Sequence, residues 1–303
     1  VTTPPTGPAA RHAGDTEFLG LTGDPGSGRF RFTVTPHLAR LDGKLYGGTA
    51  IAVSIAAAEA VCDRDALWMT TQYVSTATLG RPVDVLTEVL AAGRRTQQVR
   101  VTGTDEAGEV VFASLGATGR HVEGGLTGEF ESRPTVVAPD ESEHWESPFT
   151  GMARAAGLES VLPAMPRDIG FTTVLELRHA EVTHHPDPGP GRTCIWVRRR
   201  DRQPITPAVA AFLADMVPMS VARAFAVIAG GTSLDNTIRI GSFPDSEWVL
   251  IDLRPHLAVG DYAHGVAHVW SSDGHLMATA SQTAVMRAFD PAAAPWAPAT
   301  PSS

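Results

Sequence analysis

A lone acid within an apolar stretch is the residue of this chain with the most chemical leverage. Asp215 lies in Ala-Phe-Leu-Ala-Asp-Met-Val, residues 211–217. A carboxylate among such neighbours is costly unless it is hydrogen-bonded or its pKa rises. Either outcome suits proton transfer, although an acid turned to solvent, or one that caps a kink, fits the same pattern. Pro218, three residues on, requires the helix to bend or end beside the acid. Gln282 is a second polar group in apolar surroundings. Strand alternation puts it on one face with Leu276, Ala278, Ala280, Ala284 and Met286, so its amide needs buried partners. An ordinary structural amide is the competing reading. Ser233 follows Gly230-Gly231 at the entrance to Leu-Asp-Asn-Thr-Ile. Nothing local separates it from Thr232, and a turn hydroxyl explains it equally. Gly47 and Gly48 stand where a helix begins; they permit either close approach of a ligand to backbone amides or simply a tight helix entry.

Those residues need elements to carry them. TAIAVSIAAAEAV, residues 49–61, is apolar on nearly every side, so it is expected to be a buried helix. Before it, 30–34 alternates as a short strand. After it, strand-like runs cover 68–74, 83–90, 97–104 and 109–118, separated by turn residues. The second half repeats the order. Strands near 172–177 and 194–198 precede a helix starting at Thr206-Pro207, a side-chain cap followed by proline at the first helical position. Strands over 234–240, 248–253, 262–270 and 275–286 then follow. Even the last turns correspond, Asp105 to Gly108 against Ser271 to Gly274. An internal duplication accounts for this.

One greasy helix and four antiparallel strands, twice over, predict an α+β double hotdog: two repeats, each with a central buried helix wrapped by a curved antiparallel sheet. The expected layout is a disordered tail over 1–15, an N-terminal repeat over 16–119, a linker over 120–150, a C-terminal repeat over 151–289 and a second disordered tail over 290–303. Two unrelated α+β domains are the alternative.

Composition narrows the partners. The chain has 303 residues, 43% hydrophobic and 19% charged, with a net charge of -9. That acidity disfavours nucleic acid and anionic lipid, and no apolar run reads as long enough to cross a bilayer. A polyanionic small molecule held by a few arginines remains compatible. The two cysteines, Cys62 and Cys194, are far apart in apolar runs, so neither a metal site nor a disulfide is expected. His184-His185 reads as a solvated turn rather than metal ligands. The start of the sequence lacks the basic and apolar regions of a secretory signal, which makes the cytoplasm the expected compartment.

The segments SLDNTIRIGSFPDSEWVLID and SSDGHLMATASQTAVMR, with YGG, TTQYVS and AAGRRTQQVRVT in the first half, resemble the type II acyl-CoA thioesterase family. The likeness extends over all but the tails and linker. It implies a double hotdog that hydrolyses acyl-CoA, without a cofactor, through a water held by Asp215, Ser233 and Gln282. Gly47 and Gly48 match the glycine pair that opens the first helix. Arg94, in the Gly-Arg that follows β-strand 83–90, is implied as a contact for coenzyme A phosphates, although a solvated strand end suits it equally. Because Gly116 stands opposite Gln282 and the first helix has no acid matching Asp215, one active site per chain is expected. The substrate-binding partner is then an acyl thioester, and pairing of exposed sheet edges or helix faces makes a homodimer the expected assembly. The rivals are a non-catalytic acyl-thioester binding protein and a hotdog hydratase or dehydratase. That last chemistry calls for a His near the helical acid, which only His264 or His268 could supply through folding.

Overall fold

The structure, a computed structural model, describes residues 8–146, 168–184, 189–227 and 229–288. In chain order the helices are α1 (Pro8–Leu19), α2 (Gly47–Cys62), α3 (Pro207–Ala214) and α4 (Val217–Ala224). The first half carries strands β1 (Thr22–Asp24), β2 (Arg29–Thr33), β3 (Asp65–Tyr73), β4 (Pro82–Ala92), β5 (Thr96–Thr104) and β6 (Val110–Gly119). Then come β7 (Thr135–Val136), β8 (Leu175–His179), β9 (Val182–His184), β10 (Thr193–Arg199), β11 (Ala229–Ile240), β12 (Val249–Val259), β13 (Tyr262–Ser271) and β14 (Leu276–Ala288).

Twelve of these strands form one sheet in the order β1-β2-β4-β5-β6-β3-β11-β14-β13-β12-β10-β8. Read from each edge towards the centre, the order β2-β4-β5-β6-β3 is matched by β10-β12-β13-β14-β11, so the expected duplication is a pseudo-twofold arrangement. The halves meet where β3 pairs antiparallel with β11, from Asp235 opposite Gln72 to Arg239 opposite Trp68. Thr70 and Thr237 hydroxyls meet at 2.9 Å across that seam. Joining the halves there removes two sheet edges that would otherwise be open to other chains.

The sheet wraps α2 and α3, which pack against each other. Helix α2 is buried all round because its residues are mostly Ala, Val and Ile, and its few polar groups find partners. Thr49 donates to the Leu38 carbonyl at 3.0 Å, Ser54 meets Ser114 at 2.8 Å, and Glu59 accepts the Ala66 amide at 2.8 Å. Thr206 caps α3 by accepting the Val209 amide at 3.2 Å, with Pro207 in the first turn, as the sequence predicts. The stretch Pro207–Ala224 has the length and hydropathy of a membrane span, contrary to expectation, but is 72% buried within the protein. It is also interrupted: α3 ends at Ala214, Asp215 and Met216 leave helical geometry, and α4 restarts with Pro218 in its first turn.

Three expectations need correcting. Of the tail expected over 1–15, residues 8–15 are helical, because α1 begins at Pro8; Asp15 is buried, accepting a 2.6 Å hydrogen bond from Thr206, and Phe18 packs edge-on against Phe212. The described part of the 120–150 linker is a strap rather than a spacer. It lies over the outer face of the second sheet half, covering Trp196, Trp248, Trp270 and Leu250. Trp196 donates to the Val137 carbonyl at 2.8 Å, Arg133 stacks 5.3 Å over the Trp196 ring, and β7 pairs with β9. Finally, alternation along β14 slips at its start. A register shift beside Trp270 puts Met277 in the core and turns Leu276 towards the tryptophan cluster. The 290–303 tail lies outside the described residues, as does His185, while His184 ends β9, exposed.

One buried ion cluster holds the second half together. Arg192 binds Asp252 through both carboxylate oxygens, at 2.9 and 2.8 Å, and Arg254 adds a third contact at 3.0 Å. Burial pushes the Asp252 carboxyl up, but the two arginines overcome it and hold the group below the usual carboxylate range.

Candidate active site

The helix break places Asp215 at the C-cap of α3, next to the start of α2 from the other repeat. Its side chain is 5% exposed, yet it accepts four hydrogen bonds. Oδ2 accepts the Gly48 amide at 2.8 Å. Oδ1 accepts from the Ser233 hydroxyl at 3.1 Å, the Asn236 amide at 3.2 Å and the Gln282 amide at 2.5 Å. Gln282 also donates to Ser233 Oγ at 2.7 Å. The three residues singled out by the sequence therefore converge on one point.

Each arrives there for a local reason. Gln282 faces inward through the alternation of β14. Ser233 reaches the same face only because β11 is bulged: Ser233 stands opposite Ala284, Asn236 opposite Gln282, and Leu234 is the extra residue between them. Without that insertion Ser233 and Asn236 would point to opposite sides. The bulge thus separates Ser233 from Thr232, a distinction the sequence leaves open.

Gly47 and Gly48 are needed for close approach. A Cβ on Gly47 would lie 2.6 Å from Asp215 Oδ2, and one on Gly48 2.3 Å from the Phe212 carbonyl oxygen. The Gly48 amide is engaged by the carboxylate, so it steadies the acid instead of standing ready for an oxyanion. Tyr46, the residue before α2, offers no side-chain cap, and Asp215 takes that role from the opposite repeat.

Desolvation pushes the Asp215 pKa up to about 7; the donors from Asn236, Ser233 and Gly48, and the charge of Arg40, work against it. A carboxylate poised near neutrality can take a proton from water and later give it up. Burial, aided by the nearby Asp215 charge, also lifts the phenols of Tyr46 and Tyr73, which stay protonated. Tyr73 donates to the Gly47 carbonyl at 3.0 Å.

Asp215 and Ser233 open onto a cavity of about 1240 Å³. Its apolar lining includes Tyr46, Trp145, Phe171, Met216 and Met219, while Arg40, Lys44 and Arg200 supply positive charge and Asp42, Glu143 and Glu146 negative charge. Arg94 is not part of it. It is exposed in the β4–β5 turn, beside the end of β6 where Thr96 pairs with Gly119, whereas Phe112, near the start of β6, lines the cavity. Seven residues of extended strand separate those ends, roughly 23 Å. Arg94 is therefore a solvated strand-end residue here.

His264 and His268 are also remote. Ala263, Ala267 and Val269 of β13 face the core, so strand alternation turns both histidines to the outer side, where His268 packs against Trp270. Among the described residues no histidine is a hydrogen-bond partner of Asp215, although His144 and His179 line the same cavity. Asn236 is the member of the site that sequence reasoning passes over. Its position two residues before Ile238 on an inward face was the available signal.

Residues 139–286 match the acyl-CoA thioesterase C-terminal domain, and residues 36–118 the acyl-CoA thioesterase N-terminal domain. Among solved structures, a candidate thioesterase from Novosphingobium aromaticivorans is 30% identical, with 88% of this chain and 97% of that one covered and a TM-score of 0.74. A hot dog protein of unknown function from Alicyclobacillus acidocaldarius is 21% identical over 91% of this chain and 99% of that one, with a TM-score of 0.72. An acyl-CoA thioesterase II from Mycobacterium marinum is 17% identical over 91% and 99%, with a TM-score of 0.66. No curated protein matches the chain. A paired-repeat hotdog sheet, matched in turn by the N- and C-terminal domains of one family, makes this chain a member of the acyl-CoA thioesterase family.

Proposed function

We propose that the protein hydrolyses acyl-CoA to a free carboxylic acid and coenzyme A, using a water activated by Asp215 and oriented by Ser233 and Gln282. The observation that carries this reading is the convergence of three side-chain donors on one buried carboxylate at the wall of a large cavity.

The two carboxylate oxygens have different tasks. Three donors saturate Oδ1, which anchors the side chain; among the described residues Oδ2 has only the Gly48 amide and keeps a lone pair for a proton. Water loses that proton to Oδ2 as its oxygen bonds to the thioester carbonyl carbon. The tetrahedral intermediate collapses with breakage of the carbon–sulfur bond. A thiolate is a good leaving group, so no strong acid is required, and the proton held by Asp215 returns to solvent or to the thiolate. Ser233 Oγ, which donates to Asp215 and accepts from Gln282, fixes the angle of attack. Lys44 and Arg200 of the same cavity suit the phosphates of coenzyme A, whereas Arg40 is paired with Asp42.

The test is thiol release from a panel of short, medium and long acyl-CoAs. Wild type is expected to release thiol with a rate that rises with pH through about 7, as Asp215 ionises, and Asp215→Asn to release none while still folding. Binding of acyl-CoA with no thiol release by the wild type, across all lengths, would instead mark a binding module.

A further inference from the structure

Asn236 has no part in the family's implied trio, yet it is completely buried beside it. Its Nδ2 lies 3.2 Å from Asp215 Oδ1, and its own Oδ1 has no hydrogen-bond partner among the described residues. An asparagine kept for structure would use both ends of its amide. This one uses only the end that faces the acid. The reverse orientation would set a carbonyl oxygen against a carboxylate oxygen, so the amide is fixed as a donor. The β11 bulge and the pairing of Asn236 with Gln282 hold it on the inner face.

We propose that Asn236 is a positioning residue for hydrolysis: with Ser233 and Gln282 it locks Asp215 through Oδ1, so that Oδ2 is the oxygen presented for proton transfer. The inference rests on the hydrolytic reading for its consequence, but its physical content concerns Asp215 alone. Three donors on Oδ1 leave the carboxylate one orientation. They also favour its ionised form against desolvation, and the contribution of Asn236 is the largest among the groups that do so. Asp42, Lys44, Glu143, His144, Glu146, His179 and Arg200 share the cavity with the acid, and a smaller set lies close to it. Arg40, from the segment before α2, lowers its proton affinity; Tyr46 from that segment and Tyr73 from β3 are neutral phenols. Asp235 on β11 accepts the Thr283 amide at 2.9 Å. Ser233, Gln282 and the α2 start contribute only uncharged donors.

The test compares wild type with Asn236→Ala and with Asn236→Leu, which keeps the side-chain volume should alanine unfold the strand. The first readout is the titration midpoint of the Asp215 carboxyl by carbon NMR, with the resonance assigned by its loss in Asp215→Asn. Removing a donor to a charged group should raise that midpoint by about one pH unit. The second readout is the pH profile of kcat/KM, whose acid limb should move up by the same amount, with part of the loss persisting at high pH because the carboxylate is no longer held in one orientation. An unchanged midpoint, together with an activity loss equal at every pH, would overturn the proposal, since that is what a packing role produces. Absence of thiol release by the wild type would overturn hydrolysis instead, and the resonance would still decide whether Asn236 governs Asp215.

Discussion

Replacing Asp215 by Asn should make the protein more stable in base than in acid, relative to wild type. The carboxyl titrates near 3.8 when unfolded and about 7 in the native state. Below pH 4 both states hold the proton and the acid costs nothing. Between pH 4 and 7 the native state retains a proton that the unfolded chain has released, so wild-type stability falls as pH rises. Above 7 both are ionised and the whole cost of the buried charge is present. A shift of that size corresponds to roughly 4 kcal/mol. For a protein of this length each kcal/mol moves Tm by about 2–4 °C, so the variant should gain on the order of 10 °C over wild type between pH 4 and pH 8. Replacing carboxylate by amide also disturbs the four donors, but that offset is independent of pH. The measurement is denaturant or thermal unfolding of both proteins in parallel across the range. Curves that stay parallel would mean the acid is already ionised at pH 4, and the desolvation argument would be wrong.

Two further substitutions probe the frame. Gly48→Ala would put a methyl group 2.3 Å from the Phe212 carbonyl oxygen; the two helices must separate, at about 1–3 kcal/mol in unfolding measurements, and kcat should fall as the amide leaves Asp215. Asp252→Ala removes the buried carboxylate that Arg192 and Arg254 share. That should cost about 3–5 kcal/mol in chemical denaturation and leave kcat/KM unaltered below the melting range.

The fold was readable because both repeats announce themselves through the same signals, a helix too apolar for any surface and strands punctuated by turns. Asp215 and Gln282 were readable for a related reason: each breaks an apolar pattern that locates it. Ser233 could not be separated from Thr232, because the choice depends on one inserted residue, Leu234, whose effect exists only once β11 is paired with β14. Asn236 was hidden among Asp235 and Thr237, where a polar residue draws no notice until the inward face is known. The start of α1 escaped notice because Pro, Ala and Gly around it suggest a tail, and Asp15 gains its partner, Thr206, from nearly two hundred residues away. Arg94 has a glycine-arginine context that resembles a family feature, and strand length sets it at the β4–β5 turn, outside the cavity lining, a placement that sequence spacing alone does not give.

The crossing of Asp215 from the second repeat onto the helix start of the first breaks the symmetry that duplication set up. At the counterpart of Gln282, Gly116 leaves room that the Met69 thioether occupies, and the buried acid of α2, Glu59, is committed to the Ala66 amide. Two identical subunits could not be specialised in this way, since any change in one would appear in the other. A single polypeptide containing both halves can place the buried acid in one and the Gly48 amide that holds it in the other.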